Sequence, residues 1–154
     1  MLIDQLSKMG NSFLCPGAVI VRDQKILMGL RHYTKDKWKD ISVWTIPGGR
    51  CDDVENVETT LRREVLEEIG MTDFEICDFI DEVSGAKEGD VVPLFFCTTA
   101  QEPQLMEPEK FSQWEWVSID ECRSGNMRDF INPLALEKIL YFLEVSGLID
   151  EPLL

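Results

Sequence analysis

The chain has 154 residues, of which 44% are hydrophobic and 29% charged, a composition typical of a globular protein. We expect a single domain over residues 1–154, with its core over about 13–147, because a domain averages about 150 residues. The formal net charge is −14, from 15 Lys and Arg against 29 Asp and Glu. This charge disfavours binding to long nucleic acids and anionic membranes, so a polyanionic ligand would need a metal ion.

The cysteines and the start of the chain indicate a cellular compartment. The five cysteines are widely spaced and form no C-x-x-C pair, which argues against a disulfide framework and a thiolate zinc site. The first residues lack a basic segment followed by an apolar one, and no apolar run reaches about 18 residues. We expect a cytoplasmic protein that does not associate with membranes.

Several apolar stretches predict β-strands. Two of them flank a polar turn at 22–24 and predict a β-hairpin between Phe13 and Tyr33. A polar loop is predicted over 34–42, and the strand that follows it ends at Pro47-Gly48-Gly49. A glycine-rich turn over 84–90 separates two of the later strands. The strands predicted after the hairpin are Val43–Ile46, Phe74–Val83, Val91–Thr99 and Trp114–Val117.

Two segments predict helices. Residues Val57–Ile69 contain good helix formers with apolar residues at four-residue spacing, and Gly70 follows as a C-cap. A second amphipathic helix begins after Asn132-Pro133, with Asn132 as its N-cap, and ends near Gly147. The order of elements predicts a mixed α and β domain in which strands outnumber helices.

The first of these helices carries a cluster of carboxylates. At about 100° per residue, Glu64, Glu67 and Glu68 lie within about 100° of one another on one helix face. Ionised carboxylates this close repel each other unless water, a cationic side chain or a hard metal ion neutralises them, and oxygen ligands select Mg²⁺, Mn²⁺ or Ca²⁺. Arg63 precedes Glu67 by four residues and can pair with it. A solvated acidic helix face is the alternative.

The segment Gly49–Met71 resolves this choice by its resemblance to a known motif. It fits every fixed position of the Nudix box, G-x5-E-x7-R-E-U-x-E-E-x-G-U, and with the hairpin before it and the helix after Asn132, nearly the whole chain resembles a Nudix domain. Val54 and Thr60 depart from the small residues that are usual beside the fixed positions, which bears on loop conformation rather than on metal binding. The fixed positions are Gly49, Glu55, Arg63, Glu64, Val65, Glu67, Glu68, Gly70 and Met71.

The resemblance implies an α+β Nudix fold, a mixed β-sheet sandwiched between α-helices, and hydrolysis of a nucleoside diphosphate linked to another moiety. It implies Mg²⁺ as the cofactor, with Mn²⁺ as a substitute, and Glu64 as the base that takes a proton from the attacking water. The implied metal ligands are the carbonyl of Gly48 and the carboxylates of Glu64, Glu67 and Glu68, with Glu64 and Glu67 assigned to catalysis. The residues implied to support the box are Gly49, Glu55, Arg63 and Gly70.

A further carboxylate and three substrate contacts are expected outside the box. Glu109 is our candidate for the additional metal ligand, and Glu107 and Glu115 are its rivals. Candidate substrate contacts are Arg31 for a phosphate, Trp38 for stacking on a base, and Asn132 for a base edge. Each has a structural alternative: a solvated arginine, a packing anchor and a helix cap, of which we favour the cap for Asn132.

The segments Met106–Lys110 and Trp114–Val117 are similar to MutT-like nucleoside triphosphate diphosphatases. This similarity implies cleavage of a nucleoside triphosphate, including oxidised or non-standard dNTPs, to a monophosphate and pyrophosphate. The alternatives are a capped RNA end, dihydroneopterin triphosphate, a nucleotide sugar, or a non-catalytic nucleotide sensor. The expected partners are a nucleotide substrate and, because family members are often dimers, a second copy of the chain.

Overall fold

The computed structural model describes residues 1–32, 42–124 and 129–152. The strands are β1 (Gly17–Arg22), β2 (Lys25–Arg31), β3 (Val43–Thr45), β4 (Phe74–Ser84), β5 (Val91–Thr99) and β6 (Phe111–Ser118). The helices are α1 (Leu2–Leu6), α2 (Val57–Ile69), α3 (Ile119–Arg123) and α4 (Pro133–Val145). This mixture of sheet and helices confirms the predicted α+β class.

The sheet is mixed because β1 pairs parallel with β5, whereas the other strand pairs are antiparallel. The predicted hairpin joins β1 and β2, and its turn places Asp23 and Gln24 at φ values of 52° and 63°. Both angles are typical of a tight type I′ turn. Strand β2 then pairs with β3 at its end and with β6 along its other edge. Arg31, the last residue of β2, thus lies beside both β3 and β6.

Two apolar layers form the core, one between the sheet and α2 and one between the sheet and α4. Successive side chains of a strand point to opposite faces of the sheet. In β1, Ala18 and Ile20 accordingly pack on the α2 side, while Val19 and Val21 pack on the α4 side. Helix α2, which carries the box carboxylates, is held on the sheet by Leu61, Val65 and Ile69, all fully buried.

The elements differ from the sequence prediction in a few places. Strand β6 begins at Phe111 rather than Trp114, because Phe111 is buried and pairs with Arg31. The five-residue helices α1 and α3 were not predicted, since such short segments contain little periodicity. The predicted loop over 34–42 lies almost wholly outside the described residues.

The cysteines and the helices bear on two further features, disulfide bonds and membrane-spanning segments. All five cysteines lie within the described ranges, and each is a free thiol. In the described part of the chain, no helix is both long enough and apolar enough to cross a bilayer.

Candidate active site

Helix α2 is fixed at both ends. The side chain of Asn56 accepts a hydrogen bond from the backbone N–H of Thr59 at 2.8 Å, which caps the first turn. The helix ends at Gly70, as predicted, with φ 67° in the left-handed conformation that glycine adopts without steric cost. The carboxylates on the intervening turns therefore project from a rigid element.

An arginine network joins the loop before α2 to the carboxylates. Arg63 donates from Nε to Glu55 Oε2 at 2.7 Å and from Nη2 to Glu55 Oε1 at 2.8 Å. Its Nη1 lies 3.0 Å from Glu64 Oε1 and 3.3 Å from both carboxylate oxygens of Glu67. The structure thus contains the Arg63 to Glu67 contact expected from the four-residue spacing, and a single guanidinium orients three carboxylates.

Glu55 is the most strongly stabilised of these carboxylates. The hydrogen bonds from Arg63 lower its pKa from 4.5 to about 2, and the Asp52 N–H and Thr60 hydroxyl add to this effect. Thr60, one of the departures from the family pattern, is fully buried and donates to Glu55 Oε1 at 2.9 Å. The hydroxyl of this larger residue thus joins the first turn of α2 to Glu55 in the preceding loop.

Glu68 is the buried carboxylate of the box. It is 7% exposed, and its Oε1 accepts the backbone N–H of Gly48 at 2.8 Å. Burial raises its pKa to about 8, against the opposing effect of the Gly48 hydrogen bond. The charges of Glu64 and Glu107 raise this pKa further, and Arg31 lowers it. Glu68, Arg31 and Glu107 therefore share one electrostatic environment, although they come from α2, β2 and the loop before β6.

Glu64 lies against Gly49, the first residue of the box. A Cβ on Gly49 would stand 2.3 Å from Glu64 Cδ, so this position accommodates the carboxylate only because it has no side chain. Burial raises the pKa of Glu64, and Arg63 opposes that rise. Glu67 is about half exposed at 48%, so it faces the solvent side of the site.

The chemistry of these donors fits a hard divalent cation. Among the described residues, no three His, Cys, Asp or Glu side chains converge closely enough to form a metal site by themselves. The donors of the box are nevertheless all oxygens, and Glu68 is a buried carboxylate with like-charged neighbours. A divalent cation would neutralise these charges, and Mg²⁺ and Mn²⁺ prefer such ligands.

The structure distinguishes between the rivals for the additional carboxylate. Glu107 lies where its charge raises the pKa of both Glu64 and Glu68, and it forms an ion pair with Lys110 at 3.2 Å. Glu109, our candidate from the sequence, is exposed two residues further along. Glu115 is also exposed and accepts a hydrogen bond from Gln113. Glu107 is thus the rival with an electrostatic effect on the box carboxylates, and the identity of the additional ligand stays a prediction.

A cleft of about 400 Å³ opens beside Gly48 and Gly49. Its charged lining consists of Arg31, Arg50, Lys87 and Asp90, which is a net positive set in a chain of net charge −14. Its apolar wall is formed by Ile46, Val92, Leu94, Phe130, Ile131 and Ala135.

Two of the three predicted substrate contacts line this cleft. Arg31 does so at the end of β2, close enough to Glu68 to affect its pKa. Asn132 lines it as well, but its Oδ1 caps α4 through Ala135 N–H at 3.1 Å and its Nδ2 donates to the Ser84 carbonyl at 2.9 Å. Trp38 lies outside the described residues.

Comparison with known proteins agrees with this geometry. Residues 14–135 match the model of the NUDIX domain family. The chain belongs to the Nudix family. This membership confirms the class of enzyme predicted from the box, a pyrophosphohydrolase acting on phosphoanhydride bonds. A search of the curated proteins finds no significant match.

Solved structures of Nudix proteins resemble this one over most of its length. A MutT NUDIX hydrolase from Burkholderia pseudomallei is 26% identical with a TM-score of 0.62, covering 82% of this chain and 96% of that protein. An Ap4A hydrolase from C. elegans is 20% identical with a TM-score of 0.66, covering 86% and 98%. An ADP-ribose pyrophosphatase from Streptococcus suis is 20% identical with a TM-score of 0.62, covering 88% and 92%. Two of these names give different substrates, Ap4A and ADP-ribose, so the fold alone does not select a substrate.

In this Nudix hydrolase, three charged residues of the cleft were not identified from the sequence. Arg50 occupies a variable position of the box, and Lys87 and Asp90 lie in the turn between β4 and β5. The pairing of Arg50 with Asp90 joins positions 40 residues apart, which no local pattern reveals. The glycines of this turn were the one local sequence signal that its backbone is closely packed.

Proposed function

We propose that this Nudix hydrolase is a Mg²⁺-dependent nucleoside triphosphate diphosphatase that releases the monophosphate and pyrophosphate. Mn²⁺ would substitute for Mg²⁺, and oxidised or non-standard dNTPs would be among the substrates, as in sanitation of the nucleotide pool. The observation that carries the proposal is the cationic cleft directly beside the box carboxylates. In a chain of net charge −14, cations concentrated at one cleft favour a ligand that carries several negative charges.

The cleft offers two kinds of surface. Arg31 and the backbone at Gly48 and Gly49 form its polar side next to Glu68, while the apolar wall includes Phe130 and Ile131. Its volume of about 400 Å³ lies within the range of about 300–1,000 Å³ typical of small-molecule sites. A phosphate chain against the polar side and a nucleoside against the apolar wall would use both.

The candidate metal ligands of the box and its surroundings have roles that follow from their positions. The carbonyl of Gly48 and the carboxylates of Glu64, Glu67 and Glu68 would hold the metal, with Glu107 better placed than Glu109 as a further ligand. Bound Mg²⁺ supplies charge neutralisation of the phosphates and lowers the pKa of a coordinated water.

Side chains and backbone groups of the protein would accept the proton, orient the carboxylates and bind the substrate. Glu64, partly desolvated beside Gly49, would accept the proton of the attacking water. Arg63 holds Glu64 and Glu67 in place, and the Gly48 N–H holds Glu68. Arg31 would balance negative charge on the phosphate chain, and the unused donor hydrogen of Asn132 remains the candidate contact to a base edge.

We propose a triphosphate as the substrate, rather than another phosphoanhydride, because residues 106–110 and 114–117 are similar to MutT-like enzymes. The MutT name of the Burkholderia pseudomallei protein supports this choice. The ADP-ribose and Ap4A enzymes among the similar structures define the substrates that must be tested against it.

Product analysis tests the proposal. Purified protein with Mg²⁺ is incubated with NTPs, dNTPs, oxidised dGTP, ADP-ribose, dinucleoside polyphosphates and capped RNA, and the products are separated by ion-exchange chromatography. Glu67→Gln and Glu68→Gln are run in parallel, and Glu58→Gln serves as the matched control because Glu58 lies on the same helix but pairs with Arg62 at the surface.

The expected result is monophosphate and pyrophosphate from a triphosphate, lost in both box variants and retained in Glu58→Gln. Turnover of ADP-ribose, a dinucleoside polyphosphate or capped RNA in place of triphosphates would reassign the substrate. Nucleotide binding without any turnover would instead support the sensor alternative.

Three further expectations stay predictions. They are the cytoplasmic location, the absence of long nucleic acid among the ligands, and the homodimer, which analytical ultracentrifugation would test.

A further inference from the structure

The turn between β4 and β5 forms one wall of the cleft, where it contributes Ala86, Lys87 and Asp90. The turn is closed by two backbone hydrogen bonds, from Gly85 N–H to the Asp90 carbonyl at 2.9 Å and from Asp90 N–H to the Lys87 carbonyl at 3.0 Å. Gly89 has φ 87°, a conformation that favours glycine. The backbone of this turn is therefore well defined even though Lys87 itself is exposed.

Asp90 connects this turn to the box. Its carboxylate accepts two hydrogen bonds from Arg50, at 2.7 Å and 2.9 Å, and a third from the backbone N–H of Lys87 at 3.2 Å. The Asp90 side chain is only 3% exposed. Arg50 follows Gly49 directly and also donates to the Ser12 carbonyl. A two-point pair of this kind, with its carboxylate buried, fixes both position and orientation.

The pairing leaves two cations of the cleft available. Arg50 is committed to Asp90, whereas Lys87 and Arg31 line the cleft and, among the residues described, neither belongs to an ion pair. The ammonium of a lysine has three donor hydrogens and a full charge that a ligand can use. Arg31 approaches from the end of β2 and Lys87 from the turn before β5.

We propose that Lys87 contacts the phosphate chain of the substrate, and that Asp90 is the positioning residue that holds Lys87 at the cleft. This inference rests on the proposed function in one respect, that a phosphate chain occupies the cleft. Two cations from different elements would then contact the chain, and substrate affinity would depend on a turn outside the Nudix box. Asp90 acts through its bonds to Arg50 and to the backbone of Lys87.

Steady-state kinetics of Lys87→Met test the contact. We expect KM to rise about tenfold with kcat changed less than twofold, because a charge-assisted hydrogen bond made in both the bound substrate and the transition state is lost. The dependence of KM on salt concentration should weaken, and Lys87→Arg should restore most of the affinity. Lys25→Met is the matched control, since Lys25 is an exposed lysine at the opposite end of β2 from Arg31.

Asp90→Asn tests the positioning role. The variant weakens the pair with Arg50, so its KM should rise as in Lys87→Met, and the double variant should be no worse than Lys87→Met alone. A thermal unfolding midpoint recorded for each variant separates this effect from loss of folded protein. Should Asp90→Asn not fold, Arg50→Lys removes the two-point geometry while keeping the charge, and the same comparison applies.

The outcomes separate this inference from the proposed function. An unchanged KM in Lys87→Met, or a fall in kcat alone, overturns the phosphate contact, and strictly additive effects of the two variants overturn the positioning role. If the wild type hydrolyses a different phosphoanhydride, the proposed triphosphate substrate is wrong. The KM values of wild type and Lys87→Met are then compared on that other substrate, and this comparison still tests the contact. Should it turn over none, calorimetric binding of ATP with Mg²⁺ replaces KM, and equal affinities of wild type and Lys87→Met overturn the contact.

Discussion

Arg63 and Glu55 form a two-point ion pair, with Nε 2.7 Å from Oε2 and Nη2 2.8 Å from Oε1. Glu55 lies in the loop before α2 and Arg63 in the middle of that helix, so the pair joins two segments that both carry site residues. The same guanidinium contacts Glu64 and Glu67. The arrangement of the proposed metal ligands thus depends on a carboxylate that is not itself among them.

Replacing Glu55 with Gln should destabilise the protein. The variant loses a charge-assisted pair with a partly buried arginine, so we expect the free energy of unfolding at pH 7 to fall by about 2 kcal/mol. Urea unfolding measures this change. Glu58→Gln removes an exposed pair with Arg62 on the same helix and should cost less than about 0.5 kcal/mol. Equal losses in the two variants would contradict the structural role of Glu55.

The same pair predicts a pH dependence of stability. Arg63 lowers the pKa of Glu55 from 4.5 to about 2 in the folded protein. A lowered pKa in the folded state means that the stabilisation is fully present above pH 4.5 and is lost as the pH falls towards 2. The difference in unfolding free energy between wild type and Glu55→Gln should therefore shrink over this window. A difference that stays constant from pH 7 to below pH 3 would contradict the assigned pKa.

The sequence predicts the local part of the site well. The contact between Arg63 and Glu67 follows from helix periodicity, and the C-cap at Gly70 follows from the end of the apolar pattern. These features depend on residues within a few positions of each other. The pairing of Glu55 with Arg63 was not predicted, because a loop residue eight positions away has no fixed direction relative to the helix.

The long-range part of the site could not be predicted. Glu107 lies in the loop before β6, which pairs with β2, and its charge raises the pKa of Glu64 and Glu68. Asp90 contacts Arg50 because β5 lies beside β1. Both placements depend on strand pairing, which single residues do not specify. The choice between Glu109 and Glu107 stays a prediction for the same reason, since the direction of a loop carboxylate depends on the turn that holds it.

Replacing Glu68 with Gln should stabilise the metal-free protein while abolishing activity. Burial raises the pKa of Glu68 from 4.5 to about 8, so the folded protein becomes less stable as the pH rises through this window. A glutamine of the same shape keeps the acceptor for Gly48 N–H and carries no charge. With EDTA at pH 8 we expect an unfolding midpoint higher by about 3 °C or more, for a gain of at least about 1 kcal/mol.

Two comparisons check this prediction. The advantage of Glu68→Gln should disappear at pH 4, where the wild-type carboxyl is protonated in the folded state. Added Mg²⁺ should raise the unfolding midpoint of the wild type more than that of the variant, since a ligand stabilises only a state that binds it. A variant less stable than wild type at pH 8 would show that the charged form of Glu68 is not costly.

Glu107 and Glu109 should differ in their effect on metal dependence. Glu107 acts electrostatically on Glu64 and Glu68, so Glu107→Gln should raise the Mg²⁺ concentration needed for half-maximal activity by about tenfold. Glu109→Gln removes an exposed carboxylate of the same loop and should change it less than twofold. Activity titrated with Mg²⁺ gives both values, and the reverse order would return the ligand assignment to Glu109.

The adjacent glycines Gly48 and Gly49 should respond differently to alanine. A Cβ on Gly49 would meet the carboxylate of Glu64 at 2.3 Å, and a side chain can move away, so Gly49→Ala should fold with a loss below about 1 kcal/mol. Because the displaced carboxylate is the proposed base, kcat should fall at least about tenfold.

A Cβ on Gly48 would instead stand 2.3 Å from the backbone oxygen of Pro16, and the residue has φ 156°. Backbone atoms cannot move aside as a side chain can, so Gly48→Ala should lose about 2–4 kcal/mol of stability. Urea unfolding and kinetics on both variants separate the two effects. A stable and fully active Gly49→Ala would mean that Glu64 does not need the position it occupies, and the proton transfer would have to be assigned to another carboxylate.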